Sequence, residues 1–266
     1  MSVLIVGVLN LTPDSFSDGG RFGGPEEAVA AGVAMVDEGA DWIDVGGEST
    51  RPGSVPVPEA EEIRRVVPVI KALLPRIDGR ARISVDTYKA ATAEAALAAG
   101  ATIVNDVSGG VLEPAILATV AWAKATVILG HMRGSPTTMN DDVHFDDVLS
   151  EVSAELAARI TAARTAGCTE IWADPGIGFG KGLADNLCLL RRVPELRDRL
   201  GVPLMLGVSR KGFIGELTGR PAGERLFGTA AAVAAAVLGG AAAVRVHDVS
   251  AMRDVVKVAQ AIAHHP

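Results

Sequence analysis

Val3-Leu4-Ile5-Val6-Gly7-Val8-Leu9 is a short apolar run that stops at a polar residue, Asn10. At this length it reads as a buried strand rather than a helix. Seven more runs repeat the arrangement. They are Trp42–Val45 leading to Glu48, Ile83–Val85 ending at Asp86, Thr102–Val104 at Asn105 and Thr126–Leu129 before His131. Ile171–Ala173 ends at Asp174, Pro203–Val208 at Ser209 and Ala242–Val244 at Arg245. Helical periodicity fills the intervals. Strand, polar loop and helix repeated eight times predicts an α/β fold, a single (β/α)8 TIM barrel, with its active site at the strand C-termini. An open doubly wound sheet is the alternative, because alternation alone does not separate the two.

The helical segments carry their own signals. Ile63, Val66, Val67, Ile70 and Leu74 trace one face, with Glu59, Glu61 and Glu62 in a first turn where the helix dipole favours anions. Val148, Val152, Leu156 and Ile160 form a second row, and Pro25-Glu26-Glu27 is a helix start. Gly39-Ala40, Gly100-Ala101 and Gly240-Ala241 repeat one helix-to-strand junction, which favours the barrel. Residues 11–24, 48–58 and 132–144 lack apolar period and read as long loops on the catalytic face.

With 266 residues the chain is expected to be one domain, 1–266, since such barrels run to about 250. A formal charge of −7 argues against nucleic-acid binding driven by general electrostatics. Cys168 and Cys188 have no motif spacing, so a reducing, cytoplasmic setting is expected without disulfide or zinc. The opening run is too short for a signal peptide. Phe227–Val244 is the one membrane-length apolar stretch. It is mostly Ala and Gly, and Gly239-Gly240 breaks it into a buried helix and strand eight.

Taken on residue chemistry alone, the strand ends offer two carboxylates (Asp86, Asp174), an amide (Asn105), a lysine (Lys211) and Arg245-x-His247. Carboxylates there suit amidine-like N–H groups of a ligand. Loops after strands seven and eight, with a helix start near Ser250, commonly bind phosphate in barrels. A nitrogen-rich heterocycle beside a phosphate fits this set. Plainer roles compete at other positions. Asp44 and Glu48 read equally as internal ion-pair members, and His131 as a structural histidine. Arg191, Arg192, Arg197 and Arg199 read as a solvated face, and His264-His265 as a tail.

The longest motif is Asn10-Leu11-Thr12-Pro13-Asp14-Ser15-Phe16-Ser17-Asp18-Gly19-Gly20, and it closely resembles the opening signature of dihydropteroate synthases. Gly46-Gly47-Glu48-Ser49-Thr50-Arg51-Pro52-Gly53 resembles their second loop. The likeness continues through Ser84–Thr87, Asn105–Gly110, Asp174–Lys181, Ser209-Arg210-Lys211 and Arg245–Val249, in family order from end to end.

The resemblance implies a transferase of folate biosynthesis. It would join p-aminobenzoate to the methylene carbon of a dihydropterin pyrophosphate, release pyrophosphate, and be a sulfonamide target. Asp86, Asn105, Asp174 and Lys211 would hold the pterin. Arg245 would lie on its face and reach the phosphates, with Asp86, Lys211, Arg245 and His247 as the catalytic group. His247 and Asn10 would take the pyrophosphate, Asn10 also binding Mg²⁺. Phe16, Thr50, Arg51 and Pro52 would close over the second substrate beside Phe179, with Ser209 close by. Asp14 and Asp18 are turn residues or transient partners of the phosphate. A homodimer is implied. Loops 11–24 and 48–58, rich in Gly, Pro and Ser and without a core of their own, predict ordered binding, with the pterin pyrophosphate or pyrophosphate itself before p-aminobenzoate.

One position departs: many relatives carry a serine after Ser-Arg-Lys, where this chain has Gly212. Two other readings remain at this point. One is the pterin-binding barrel of folate-to-corrinoid methyltransferases, which would not need the Ser49–Gly53 loop, Ser209-Arg210-Lys211 or the phosphate pair, all present here. The other is an inactive paralogue.

Overall fold

The computed structural model describes residues 2–11, 24–50, 53–141 and 143–264. Eight strands alternate with helices: β1 Leu4–Asn10, β2 Trp42–Gly46, β3 Arg82–Asp86, β4 Ile103–Asp106, β5 Thr126–Gly130, β6 Glu170–Asp174, β7 Met205–Leu206 and β8 Ala243–Val246. All pairings are parallel, in the order β6-β5-β4-β3-β2-β1-β8-β7. A parallel bridge between Ala173 and Leu204 joins β6 back to β7 and closes the barrel. The closed sheet excludes the open alternative.

β7 is shorter than the run Pro203–Val208 predicted. Pro203 has no N–H for a ladder, although its carbonyl still accepts from Ala173 N at 3.0 Å.

Alternation along each strand makes two cores. Ile5, Leu9, Ile43, Val45, Val85, Val104 and Val127 face outward into the helical layer. Val6, Trp42, Ile103, Ile128, Trp172, Met205 and Ala243 fill the lumen, where Trp42 and Trp172 meet edge to face at 5.0 Å. The lumen therefore has an apolar floor, and on five strands the inward position above it is polar: Asp44, Ser84, Asn105, Asp174 and Arg245.

Ten α-helices lie among the described residues: α1 Pro25–Glu38, α2 Glu59–Ile77, α3 Ala90–Ala98, α4 Ala115–Ala123, α5 Val148–Thr165, α6 Leu183–Arg191, α7 Val193–Leu200, α8 Gly212–Thr218, α9 Leu226–Leu238 and α10 Val249–His264. Pro25 opens α1 as expected, and Val148, Val152, Leu156 and Ile160 are all buried on α5. The three repeated junctions take the left-handed cap, with φ of 104°, 111° and 91° at Gly39, Gly100 and Gly240.

Two expectations shift. The buried face of α2 is Glu62, Val66, Val69, Ile70, Leu73 and Ile77, leaving Ile63, Val67 and Leu74 half-buried. The face turns because Glu62 is drawn inward to Lys89, whose Nζ lies 2.7 Å from its Oε2. An apolar stripe cannot register a buried carboxylate. On α9 only Thr229, Ala232, Val233, Ala236 and Val237 are buried, while Phe227 is 87% exposed, so this helix is not enclosed.

The long loops meet each other. Gly53 N donates to Pro136 O at 3.1 Å, and Thr137 Oγ1 to Ser54 O at 3.3 Å. Beneath them Lys89 Nζ also reaches Glu48 Oε2 at 2.6 Å and Val57 O at 2.7 Å. Tyr88 OH donates to Glu48 Oε1 at 2.9 Å. A buried ion network thus anchors both ends of the 48–57 segment. Among the described residues no helix is long and apolar enough to cross a membrane.

Candidate active site

Strand register builds the site. Asn10 pairs with Gly46, Gly46 with Asp86, and Asp86 with Asn105, so four strand ends lie in one row. Asp174 pairs with Gly130 at the end of β5. Arg245 starts lower, opposite Val6, and its long side chain climbs the lumen. Its Nε donates to Asp44 Oδ2 at 2.6 Å and its Nη2 to Asp86 Oδ2 at 2.7 Å. Asn105 Nδ2 donates to the same Asp44 oxygen at 2.9 Å. The other oxygen, Asp44 Oδ1, is buried with no partner among the described residues.

Thr50, Asp86, Asn105, Asp174, Phe179, Lys211 and Arg245, together with Val107 and His131, line one cleft. Seven of the sequence-predicted residues are therefore in one place. Ser209 and His247 pair beside it: Ser209 Oγ lies 3.0 Å from His247 Nδ1 and accepts from His247 N at 3.2 Å. Asn10 ends β1 half-exposed, next to Gly46 and Asp86. Phe16, Arg51 and Pro52, like Asp14 and Asp18, lie outside the described residues.

Lys211 is the N-cap of α8, and its Nζ lies 3.7 Å from the Phe179 ring centroid. The turn before it is fixed by three groups. Arg210 adopts φ 58° and forks onto Asp248, its N–H donates to Thr229 Oγ1 at 3.0 Å, and Arg225 Nη1 donates to the carbonyls of Arg210 and Lys211. A non-glycine residue in that region costs of order 1 kcal/mol, which the fork and the three other bonds offset. Asp174 Oδ1 accepts from Gly176 N at 2.8 Å.

Burial dominates the electrostatics. It pushes Asp174 above the usual carboxylate range and Asp86 up to about 7, although Arg245 pulls Asp86 back. Burial also brings Lys211 down to about 8, against the attraction of Asp174. Burial opposes the Arg245 charge too, but Asp44 and Asp86 outweigh it and raise the guanidinium. Three carboxylates face two cations here, and the surplus negative charge suits a ligand rich in N–H donors.

Two features escaped the sequence reading. Asp44 is an internal ion-pair member with Arg245, one of the two roles expected of it, but that Asn105 shares the same oxygen at the base of the cleft was not expected. Its signal was position: it follows the lumen residue Trp42 by two. Lys181 carried no assigned role, yet it is buried against His131, whose Nε2 meets Glu155 Oε2 at 3.0 Å. Burial brings Lys181 to about 7 and His131 to about 4.

Comparison with known proteins agrees with this geometry. Residues 6–247 match the family model described as pterin binding enzyme. A Synechocystis dihydropteroate synthase is 47% identical over 261 residues, covering 97% of this chain and 89% of its own. A Xanthomonas albilineans dihydropteroate synthase in complex with 7,8-dihydropteroate superposes with a TM-score of 0.88 at 44% identity, covering 100% of this chain and 95% of that one. A Yersinia pestis dihydropteroate synthase with a sulfonamide drug gives 0.92 at 39%, covering 98% and 94%. Eight parallel strands, a polar lumen above an apolar floor and matches across nearly the whole chain lead to one conclusion: this chain belongs to the dihydropteroate synthase family of pterin-binding enzymes.

Proposed function

We propose that the cleft binds a dihydropterin pyrophosphate and positions p-aminobenzoate to attack it, so that the chain makes 7,8-dihydropteroate and pyrophosphate. The observation that carries this is the convergence of Asp86, Asn105, Asp174, Lys211 and Arg245 on one cleft. Asp174 accepts from the amidine edge of the pterin, and Lys211 donates toward its ring carbonyl. Asn105, already committed to Asp44 through Nδ2, offers its carbonyl oxygen. Arg245 presents its planar cation to the pterin face.

His247, next to Ser209 and the start of α10, takes the pyrophosphate with Asn10. Among the described residues no three His, Cys, Asp or Glu side chains are grouped to hold a metal. A single carboxamide oxygen at Asn10 fits Mg²⁺ carried in on the substrate's phosphates, since that ion keeps most of its waters. Held by Asn10 and those phosphates, Mg²⁺ would neutralise charge on the leaving group.

In the reaction the bond from the methylene carbon to the phosphate oxygen breaks, and its electrons leave with pyrophosphate. Ionised Asp86 stabilises the cation that develops on the pterin methylene. The amine nitrogen then bonds to that carbon and sheds a proton to solvent or to the departing pyrophosphate. Thr50, Phe179 and the segment around Arg51, Pro52 and Phe16 hold the aromatic amine in place. No covalent enzyme intermediate is needed. Sulfonamides, shaped like p-aminobenzoate, compete for that place.

The chain acts in the cytoplasm on this reading, with both cysteines as free thiols. It pairs as a homodimer through the exposed apolar surface of α6, α8 and α9, where Leu187, Leu217 and Phe227 stand clear of the barrel. The test is direct. Purified protein with both substrates and Mg²⁺ should form dihydropteroate and release one pyrophosphate per turnover. No pyrophosphate release would refute the reading.

A further inference from the structure

Lys181 ends the loop that leaves β6, and its side chain turns back into the barrel wall. Its Nζ lies 3.1 Å from Gly176 O, 3.1 Å from Phe179 O, 3.2 Å from His131 O and 2.9 Å from His131 Nδ1. Both ends of one turn, and the residue that follows β5, thus meet on a single ammonium. As an ammonium, below about pH 7, Lys181 has donors only, so His131 Nδ1 is then the acceptor. The ring proton then sits on Nε2, aimed at Glu155 Oε2. Neutral His131 agrees with the fall caused by its burial.

The turn is built for this approach. Gly176 has φ 68°, and a Cβ there would come within 1.9 Å of His131 O. Phe179 leaves the same turn to stand against Lys211, whose Nζ is 3.7 Å from its ring centroid. Lys181 itself does not line the cleft.

We propose that Lys181 is a positioning residue for the aromatic amine substrate: its ammonium ties the Gly176–Phe179 turn to the end of β5 and so fixes the Phe179 ring beside Lys211. This rests on the functional reading above. Asp174 depends on the tie less, because its pairing with Gly130 in the β5–β6 ladder holds it separately.

Lys181→Met keeps the length of the side chain and removes the donors. A ring freed from its place should raise KM for p-aminobenzoate on the order of tenfold, with KM for the pterin pyrophosphate changed less than about threefold. General loss of folded protein would instead lower kcat per total protein and leave both KM values alone. Unchanged KM for p-aminobenzoate, or an equal rise in both, overturns the proposal.

Nitrogen-15 NMR of the histidines in the wild-type protein supplies a readout that needs neither a variant nor turnover. Between about pH 5 and 6, where Lys181 is an ammonium and His131 is neutral, the ring proton should sit on Nε2. A proton on Nδ1 would overturn the proposal. If the wild type makes no dihydropteroate, the functional reading fails, and the NMR result still decides whether Lys181 donates to His131.

Discussion

Arg245 and Asp44 are 201 residues apart in the chain, and the barrel brings Nε of one within 2.6 Å of Oδ2 of the other. Asp44 is buried at the base of the cleft, Arg245 is mostly covered, and the second arm of the same guanidinium holds Asp86. Removing the arginine alone strands two buried carboxylates. Arg245→Met should therefore cost about 3–5 kcal/mol of stability, the usual penalty for breaking a buried pair from one side. Asp44→Asn in the same background should recover part of it. Urea unfolding of the two single variants and the double variant measures the coupling.

The acid behaviour of His131 gives a second test. Burial holds it near 4 in the folded chain, against about 6.5 unfolded. The unfolded state therefore binds more protons between these values, and the stability due to neutral His131 is lost as pH falls from about 6.5 to 4. The loss is at most about 3 kcal/mol at 1.36 kcal/mol per unit. Asp86, raised to about 7, acts with the opposite sign over much of this window. The informative quantity is thus the difference between wild type and His131→Asn. That difference should move in favour of the variant on acidification, and a constant difference would remove His131 as a cause.

Much of this was legible because a barrel strand alternates. In Trp42-Ile-Asp-Val-Gly46 the same parity that puts Trp42 in the lumen puts Asp44 and Gly46 there, and the polar endings of eight such strands must meet. Glu62 and Lys89 were not legible. A buried ion pair joins two helices that sequence periodicity reads separately, so the α2 face came out rotated. Lys181 was hidden for a related reason: its partners are mostly backbone carbonyls, which no side-chain pattern reveals. At β7 the missing N–H of Pro203 trims only the start of the run Pro203–Val208, and the strand also stops early, at Leu206.

Activity should depend on pH through two groups in the cleft. With Asp86 raised to about 7 it is ionised only above that value, and Lys211, lowered to about 8, keeps its charge only below it. The kcat/KM for the pterin substrate should rise with pH through about 7 and fall above about 8. Asp86→Asn should lose the acid limb and much of the activity. A wild-type profile flat from pH 6 to 9 would contradict these assignments.

Gly212 opens α8 directly after Lys211, and a Cβ added there meets no atom within 4 Å. A serine therefore fits. Gly212→Ser adds one possible hydrogen bond to the carboxylate of p-aminobenzoate, worth at best about 1.5–3 kcal/mol. Because backbone N–H groups at the helix start already offer donors, the realised gain should be a several-fold lower KM for that substrate alone. An equal change in both KM values would mean that position 212 does not face the carboxylate.

Asp174 carries the central claim, that the polar lumen is built to hold a dihydropterin by its amidine edge. Asp174→Asn preserves shape and presents an NH₂ where the ligand also presents donors. An unsatisfied buried group costs about 1–3 kcal/mol, and the loss of charge places this one in the upper part of that range, so affinity should fall at least tenfold. Calorimetric titration of a pterin ligand into wild type and Asp174→Asn measures it directly. A loss of tenfold or more with an unchanged melting profile is the predicted result, and equal affinity in the two proteins would contradict the account.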